Sequence, residues 1–185
     1  MIYFNLIKDF FIYGVGIFIL TYLIYLILSK KKYLGIKTHS WRQVSSKKVL
    51  RKIRNFETPG QIINYLKKID AFVFEEIILD TLSERPDITV KRNKRYTGDK
   101  GIDGQFLIKR DNQYFKGIIQ AKRYKSYINN KDVELFKANI EAEKADIGLF
   151  IHTGKTGGKV YEHINDNLIL ISGAKLVDFF KENKF

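Results

Sequence analysis

The stretch "GIDGQFLIKRDNQYFKGIIQAKRY", Gly101 to Tyr124, decides the fold of this chain. Its second half is an apolar run with β-branched residues, which predicts a buried strand, and Asp111-Asn112 marks a turn between that strand and an earlier one. Gln120 and Lys122 stand at the end of the apolar run. Because alternate side chains of a strand share a face, the amide and the ammonium should project side by side.

Helix and strand patterns alternate on both sides of this predicted hairpin. Upstream, residues 70–86 read as an amphipathic helix that ends before Pro86, and residues 88–93 as a short strand. Downstream, the pattern predicts a helix, a strand, a helical segment, a strand and a closing helix at residues 130–145, 146–153, 157–166, 168–172 and 174–183. This order predicts an α/β fold of three layers, with a mixed central sheet flanked by helices.

The N-terminal region contains a long uncharged run, "FFIYGVGIFILTYLIYLIL", Phe10 to Leu28. Its length matches the roughly 20 residues that cross a bilayer, so it predicts a transmembrane helix. The lysines that follow predict a single-pass cell-membrane protein with its C-terminal domain in the cytoplasm. A cleaved signal peptide and a buried core helix are the alternatives. A signal peptide would need a shorter apolar core and an A-x-A-like cleavage site.

The positive charge of the chain is concentrated in one segment. Ten lysines and arginines and no acidic residue fall between Lys30 and Arg54, while the formal net charge of the whole chain is +13. The predicted organisation is therefore an N-terminal segment with the membrane helix (1–29), a basic stem (30–68) and a catalytic domain (69–185). The basic stem predicts attraction to anionic membrane lipid, with direct DNA contact as the alternative. The absence of cysteine excludes disulfides, thiolate catalysis and cysteine-ligated metal sites.

Four polar residues interrupt the apolar patterns. Glu75 falls on the apolar face of the first helix of the domain, and Asp103 stands between glycines at the start of a strand. If the two strands pair as a hairpin, Asp103 neighbours Gln120 and Lys122. Carboxylate and amide oxygens suit a hard divalent cation, and a lysine stabilises developing negative charge. The four residues are predicted to form one catalytic site.

Five segments in a fixed order resemble the Mrr-type restriction endonuclease catalytic domain, a branch of the PD-(D/E)xK nuclease superfamily. They are "FEE", "TGDKGIDG", "IIQAKRY", "DIGLFIHTG" and "LILISGAKLVDFF", and the resemblance covers about Asp70 to Lys181. It implies a restriction-endonuclease-like fold and Mg²⁺-dependent cleavage of DNA phosphodiester bonds, with Mn²⁺ as a possible substitute. It also implies a role in restriction of, and defence against, foreign DNA.

The resemblance also implies roles for individual residues. It assigns Asp103 to the acidic metal ligand, Lys122 to the motif lysine and Glu75 to the acidic residue of the first helix. Gln120 takes the position usually held by Asp or Glu, a replacement characteristic of this branch. The implied metal ligands are Asp103, Gln120 and Glu75.

Basic residues flank the predicted site on both sides. Lys94 and Arg95 precede the Asp103 loop, and Arg123 and Lys125 follow the second strand, with tyrosines nearby. This interleaving predicts contacts with DNA phosphates, and a solvated rim is the alternative. A homodimer is a further possible assembly, because two copies of the chain can cleave both DNA strands most easily.

The segment "HTGKTGGK", residues 152–159, resembles a phosphate-binding loop only superficially. The pattern GxxxxGK[ST] needs glycine at position 149, where this chain has Leu149. The segment therefore predicts a strand-to-helix loop that could touch phosphate through its amides. His39, His152 and His163 have no metal-ligand spacing, and ordinary structural or surface roles are expected for them.

Two alternatives to a DNA-cleaving enzyme stay open at this point. Gln120 lacks the charge of a carboxylate, which favours an inactive, membrane-tethered module that binds DNA or a partner. The same centre could also cleave RNA, since both nucleic acids present the same phosphodiester.

Overall fold

A five-stranded mixed sheet forms the centre of the fold in the computed structural model. The model describes residues 2–93 and 101–185, without the side chains of residues 2–12, 30–40, 159 and 163. The strands are β1 (Ile88–Arg92), β2 (Gly104–Arg110), β3 (Gln113–Lys122), β4 (Ile147–His152) and β5 (Leu168–Ile171). They lie in this order across the sheet; β1, β2 and β3 pair antiparallel, whereas β3, β4 and β5 pair parallel.

The helices predicted at residues 70–86, 130–145 and 174–183 are confirmed, and the helical segment predicted at 157–166 contains a 3-10 helix. The helices are α1 (Ile2–Arg54), α2 (Pro59–Leu66), α3 (Ala71–Ser83), α4 (Asn130–Ala142) and α5 (Gly173–Glu182), with a 3-10 helix at Gly158–His163. The Thr58 hydroxyl and the Gln61 side chain form a reciprocal capping box at the start of α2. The Asp70 carboxylate accepts hydrogen bonds from the backbone amides of Phe72 and Val73 and so caps α3.

The hairpin of β2 and β3 is confirmed, with its turn at the predicted position. Asp111 and Asn112 have φ values of 47° and 62°. Aspartate and asparagine tolerate this left-handed region better than most residues, and two such residues in a row suit the twist of a tight hairpin. The register runs from Arg110 opposite Gln113 to Gly104 opposite Ile119.

Helices cover both faces of the sheet, which confirms the three-layer α/β prediction. Helices α3 and α5 pack with Ile119 and Ala121 of β3 in one buried cluster. Helix α4 packs on the other face, with Ile118 of β3 and Phe150 of β4. Since residues 118 and 119 point to opposite faces, strand alternation assigns Gln120 and Lys122 to the α4 face.

The chain divides into two units, Met1–Trp41 and Arg42–Phe185. Within the second unit, Leu50, Ile53, Ile62 and Leu66 are buried in the same cluster as α3 and α5. Residues 42–68, which the sequence assigned to a stem, therefore supply part of the domain core.

In the first unit, the apolar side chains between Tyr13 and Leu28 are exposed, apart from the half-buried Leu26. No helix in the described part of the chain is long and apolar enough to cross a membrane. The transmembrane helix predicted over Phe10–Leu28, whose side chains are described from residue 13 onward, is not supported.

Candidate active site

Asp103 lies against the end of β3. The Ala121 amide donates a hydrogen bond of 2.7 Å to Asp103 Oδ2, and the Asp103 amide donates one of 2.8 Å to the Ile119 carbonyl. Ala121 is the residue between Gln120 and Lys122, so the carboxylate is held beside both of them. The proximity predicted from the hairpin is confirmed.

Gln120 is a buried polar residue at this position. Its side chain is 2% exposed, and Oε1 accepts no hydrogen bond from any described residue. The loop before Asp103 encloses the amide: a Cβ atom on Gly101, whose φ is +84°, would lie 3.1 Å from Gln120 Nε2. Burying an amide oxygen without a donor costs roughly 1–3 kcal/mol, so a ligand that binds this oxygen would relieve the cost.

The donor set fits a hard divalent cation. Asp103 supplies a carboxylate and Gln120 an amide oxygen that no described donor satisfies. Magnesium is often held by one or two protein carboxylates, with water completing its coordination. Within the described residues, no group of three or more His, Cys, Asp or Glu side chains could hold a metal ion. A cation here would therefore depend on a small protein ligand set.

Lys122 is a half-buried residue at the carboxyl end of β3. Its backbone carbonyl accepts a hydrogen bond of 3.2 Å from the Thr153 amide of the next strand, which fixes its position. Among the described side chains, none forms an ion pair or hydrogen bond with the ammonium. Its charge is thus available to a bound anion.

Glu75 is half-buried on α3, and the packing places that helix on the face of β3 opposite to Gln120 and Lys122. The structure thus groups Asp103, Gln120 and Lys122. The predicted role of Glu75 as a metal ligand stays a prediction.

Glu76, the neighbour of Glu75 on α3, points into the protein. Glu76 is 2% exposed and pairs with the Arg92 guanidinium of β1. The same guanidinium pairs with Asp80 at 2.6 Å, and Asp80 accepts a hydrogen bond of 2.6 Å from the Ser46 hydroxyl. Arg92 makes this burial tolerable, since a buried carboxylate needs a compensating positive charge.

The four predicted nucleic-acid contacts have different outcomes. Lys94 and Arg95 lie outside the described residues. The Arg123 guanidinium donates a hydrogen bond of 2.5 Å to the Lys67 carbonyl, which gives this side chain a structural role at the end of α2. Lys125 is exposed near the carboxyl end of β3. DNA contact by these residues stays a prediction.

His152, which the sequence analysis did not include in the site, lies beside Lys122. It lies opposite Lys122 in the parallel pairing of β3 and β4, is fully buried, and has no hydrogen-bond partner for either ring nitrogen among the described residues. Its ring packs on Tyr124 and Phe150, with centroids 6.0 and 5.9 Å away. Strand alternation on β4 was the available signal, because it assigns residues 150 and 152 to one face.

Acid is expected to destabilise the protein through His152. Burial lowers the pKa of this imidazole from 6.5 to about 4. Between those values the unfolded chain binds the extra proton and the folded chain does not, so stability falls as the pH falls through this window. A His152→Phe variant should lose less stability between pH 7 and pH 5 than the wild type, by on the order of 2 kcal/mol in chemical denaturation. Equal losses in the two proteins would contradict this account.

The sequence profile of a family described as restriction endonuclease (Mrr_cat) matches residues 66–180 of the chain. The chain is also similar to the type IV methyl-directed restriction enzyme EcoKMrr of Escherichia coli (strain K12), with 26% identity over 133 residues. That match covers 67% of this chain and 42% of the enzyme, so the chain spans less than half the length of this relative.

Solved structures of restriction endonucleases show a looser likeness. MspJI in complex with a 27-mer oligonucleotide has a TM-score of 0.49 and 17% identity, covering 64% of this chain and 29% of that one. FokI bound to DNA has a TM-score of 0.47 and 11% identity, and the match covers 76% of this chain and 30% of that one. The sequence profile therefore carries the family assignment.

Proposed function

Since the chain belongs to the Mrr-type restriction endonuclease family, whose catalytic domain is a DNA-cleaving hydrolase, we propose that it hydrolyses DNA phosphodiester bonds with a divalent cation, Mg²⁺ in the first instance. The observation that carries this proposal is the hydrogen bond from the Ala121 amide to Asp103. It joins Asp103, which directly precedes β2, to the Gln120–Lys122 segment of β3. The biological role that we propose is restriction of foreign DNA.

Each residue of the site has a separate task in this proposal. The Ala121 amide fixes the orientation of the Asp103 carboxylate, and the loop at Gly101 packs on the Gln120 amide. Asp103 and Gln120 would hold the cation through their oxygens. When bound, the cation supplies positive charge that makes a water molecule easier to deprotonate and offsets charge on the phosphate.

Lys122 carries the second positive charge of the proposed site. The residue is half-buried, and its ammonium has no anionic partner among the described side chains. A preorganised charge of this kind stabilises negative charge that develops on the scissile phosphate. We propose that Lys122 binds this phosphate and steadies the attacking water, while its backbone link to Thr153 limits its movement.

Cleavage is expected to depend on a divalent cation. The chain should nick or linearise plasmid DNA in Mg²⁺ or Mn²⁺ and leave it intact in EDTA. Asp103 and Gln120 are proposed only to hold the cation, and the cation supplies the positive charge that the reaction needs. Gel electrophoresis of plasmid DNA, with an RNA substrate in parallel, measures this directly.

The other outcomes of that assay separate the alternatives. Cleavage of RNA with intact DNA would assign the site to the RNA-directed alternative. Tight DNA binding without cleavage in any cation would support an inactive binding module, which the missing charge at Gln120 favours. Equal cleavage in EDTA and in Mg²⁺ would remove the proposed cation.

Membrane location and dimerisation stay predictions from the sequence. The charge pattern predicts that the domain faces the cytoplasm at the cell membrane, with lipid as a partner of the N-terminal segment. Sedimentation of the protein with the membrane fraction, and its release by detergent but not by salt, would support this location.

A further inference from the structure

The loops that follow β3 and β4 are joined to each other at the carboxyl edge of the sheet. Tyr127 and Lys155 form an isolated parallel bridge. The Ile128 amide donates to the Lys155 carbonyl at 3.0 Å, and the Lys155 amide donates to the Ser126 carbonyl at 2.8 Å. The loop after β4, which the sequence singled out for its glycines and lysines, is thereby fixed to the loop that begins one residue after Lys122.

Close packing makes this junction rigid. A Cβ atom on Gly154 would lie 2.8 Å from the Ser126 carbonyl oxygen, so the two backbones approach as closely as only glycine allows. The buried Thr153 hydroxyl donates to the Tyr124 carbonyl at 2.8 Å. A residue presented by this junction is therefore held in place before any ligand arrives.

The junction exposes an aromatic ring beside a lysine. Tyr127 is 64% exposed although its backbone is hydrogen-bonded, and the Lys155 Nζ lies 5.9 Å from the centre of its ring. Lys125 is exposed two residues away. Lysine and tyrosine are among the side chains that contact DNA phosphates and sugars.

We propose that Tyr127 and Lys155 form a platform that binds the sugar-phosphate backbone of double-stranded DNA beside the scissile phosphate. This inference rests on the proposed DNA-cleaving function and adds the surface that holds the substrate. Lys155 supplies the charge for a phosphate, and the Tyr127 ring packs on a deoxyribose. Because Lys122 ends β3 on the same sheet edge, one strand of DNA reaches both the platform and the catalytic residues.

The chain contains a matched pair of residues at the opposite end of the hairpin. Tyr114 is 66% exposed, and the Lys109 Nζ lies 6.0 Å from the centre of its ring. Tyr114 stands eight residues before Lys122 on β3, which corresponds to about 26 Å along an extended strand. This pair has the same chemistry and exposure but lies far from the proposed site. Removing it therefore shows how much DNA binding falls when any exposed tyrosine–lysine pair is lost.

The test compares two double variants of the full chain, Tyr127→Ala/Lys155→Ala and Tyr114→Ala/Lys109→Ala. Binding of a short fluorescein-labelled DNA duplex is followed by anisotropy in EDTA over a series of salt concentrations, so that cleavage does not interfere. We expect the first variant to raise Kd at least about tenfold and the second to leave it within about twofold. Lys155→Ala alone should reduce the slope of log Kd against log salt by about one, and Lys155→Arg should restore it.

The outcomes distinguish the platform from the catalytic proposal. Equal effects of the two double variants, no effect of either, or no DNA binding by the wild type would overturn the platform. If the wild type binds DNA through Tyr127 and Lys155 but cleaves none, the platform stands and the catalytic proposal fails. Thermal denaturation of each variant shows that the loops still fold, and Tyr127→Phe, which keeps the ring, should bind nearly as the wild type does.

Discussion

Asp103→Asn is expected to lower the rate of DNA cleavage in Mg²⁺ by on the order of 10³-fold, equivalent to about 4 kcal/mol of transition-state stabilisation. The structure places the Asp103 carboxylate, a charged oxygen donor, beside Gln120 and Lys122, through the hydrogen bond from the Ala121 amide. Without its charge, the remaining amide oxygen is a weak ligand for a hard cation. Initial rates of plasmid cleavage over a range of Mg²⁺ concentrations measure the effect.

Asparagine keeps an oxygen that can accept the hydrogen bond from the Ala121 amide, so the variant should fold as the wild type does. It should also bind DNA in EDTA with nearly the same Kd. Asp111→Asn is the matched control, because it removes the same charge from the turn at the far end of the hairpin. Asparagine tolerates the φ of 47° found there. Equal cleavage by the wild type and Asp103→Asn would remove Asp103 from the site.

The local parts of the fold were predictable because nearby residues determine them. Asp111 and Asn112 adopt the left-handed conformation that a tight hairpin turn requires, and their side chains favour it wherever they occur. Once the turn is placed, the register of β2 and β3 follows, and with it the position of Asp103 beside Gln120 and Lys122. The predicted proximity therefore depended on the turn alone.

Long-range features of the site were not predictable from periodicity. Helix α3 buries eight of its 13 residues, so its apolar pattern does not identify which of two adjacent glutamates faces inward. Glu76 is the buried one because Arg92 reaches it from β1, 16 residues away in the chain. The buried Gln120 Oε1, which accepts no hydrogen bond from a described residue, and the burial of His152 likewise depend on which strands and loops meet in space. Such tertiary contacts leave no local signal in one sequence.

Arg92→Met is expected to lower the free energy of unfolding by about 3 kcal/mol, the largest effect on stability that we predict for a residue outside the catalytic site. Glu76 is 2% exposed and Asp80 is 16% exposed, and both carboxylates pair with the Arg92 guanidinium. Methionine fills much of the same volume but leaves the Glu76 charge in the interior without its arginine. Urea denaturation monitored by circular dichroism at neutral pH measures the loss.

A second variant tests whether charge burial, and not lost packing, causes this effect. In Arg92→Met/Glu76→Met the interior charge is removed together with its partner, so most of the lost stability should return, since apolar replacements of a buried ion pair are often neutral or stabilising. Arg110→Met, at an exposed position on the neighbouring strand, should change stability by less than about 0.5 kcal/mol. If Arg92→Met is as stable as Arg110→Met, the arginine does not offset the cost of burying Glu76. If the double variant is no more stable than Arg92→Met, the loss comes from packing around the guanidinium.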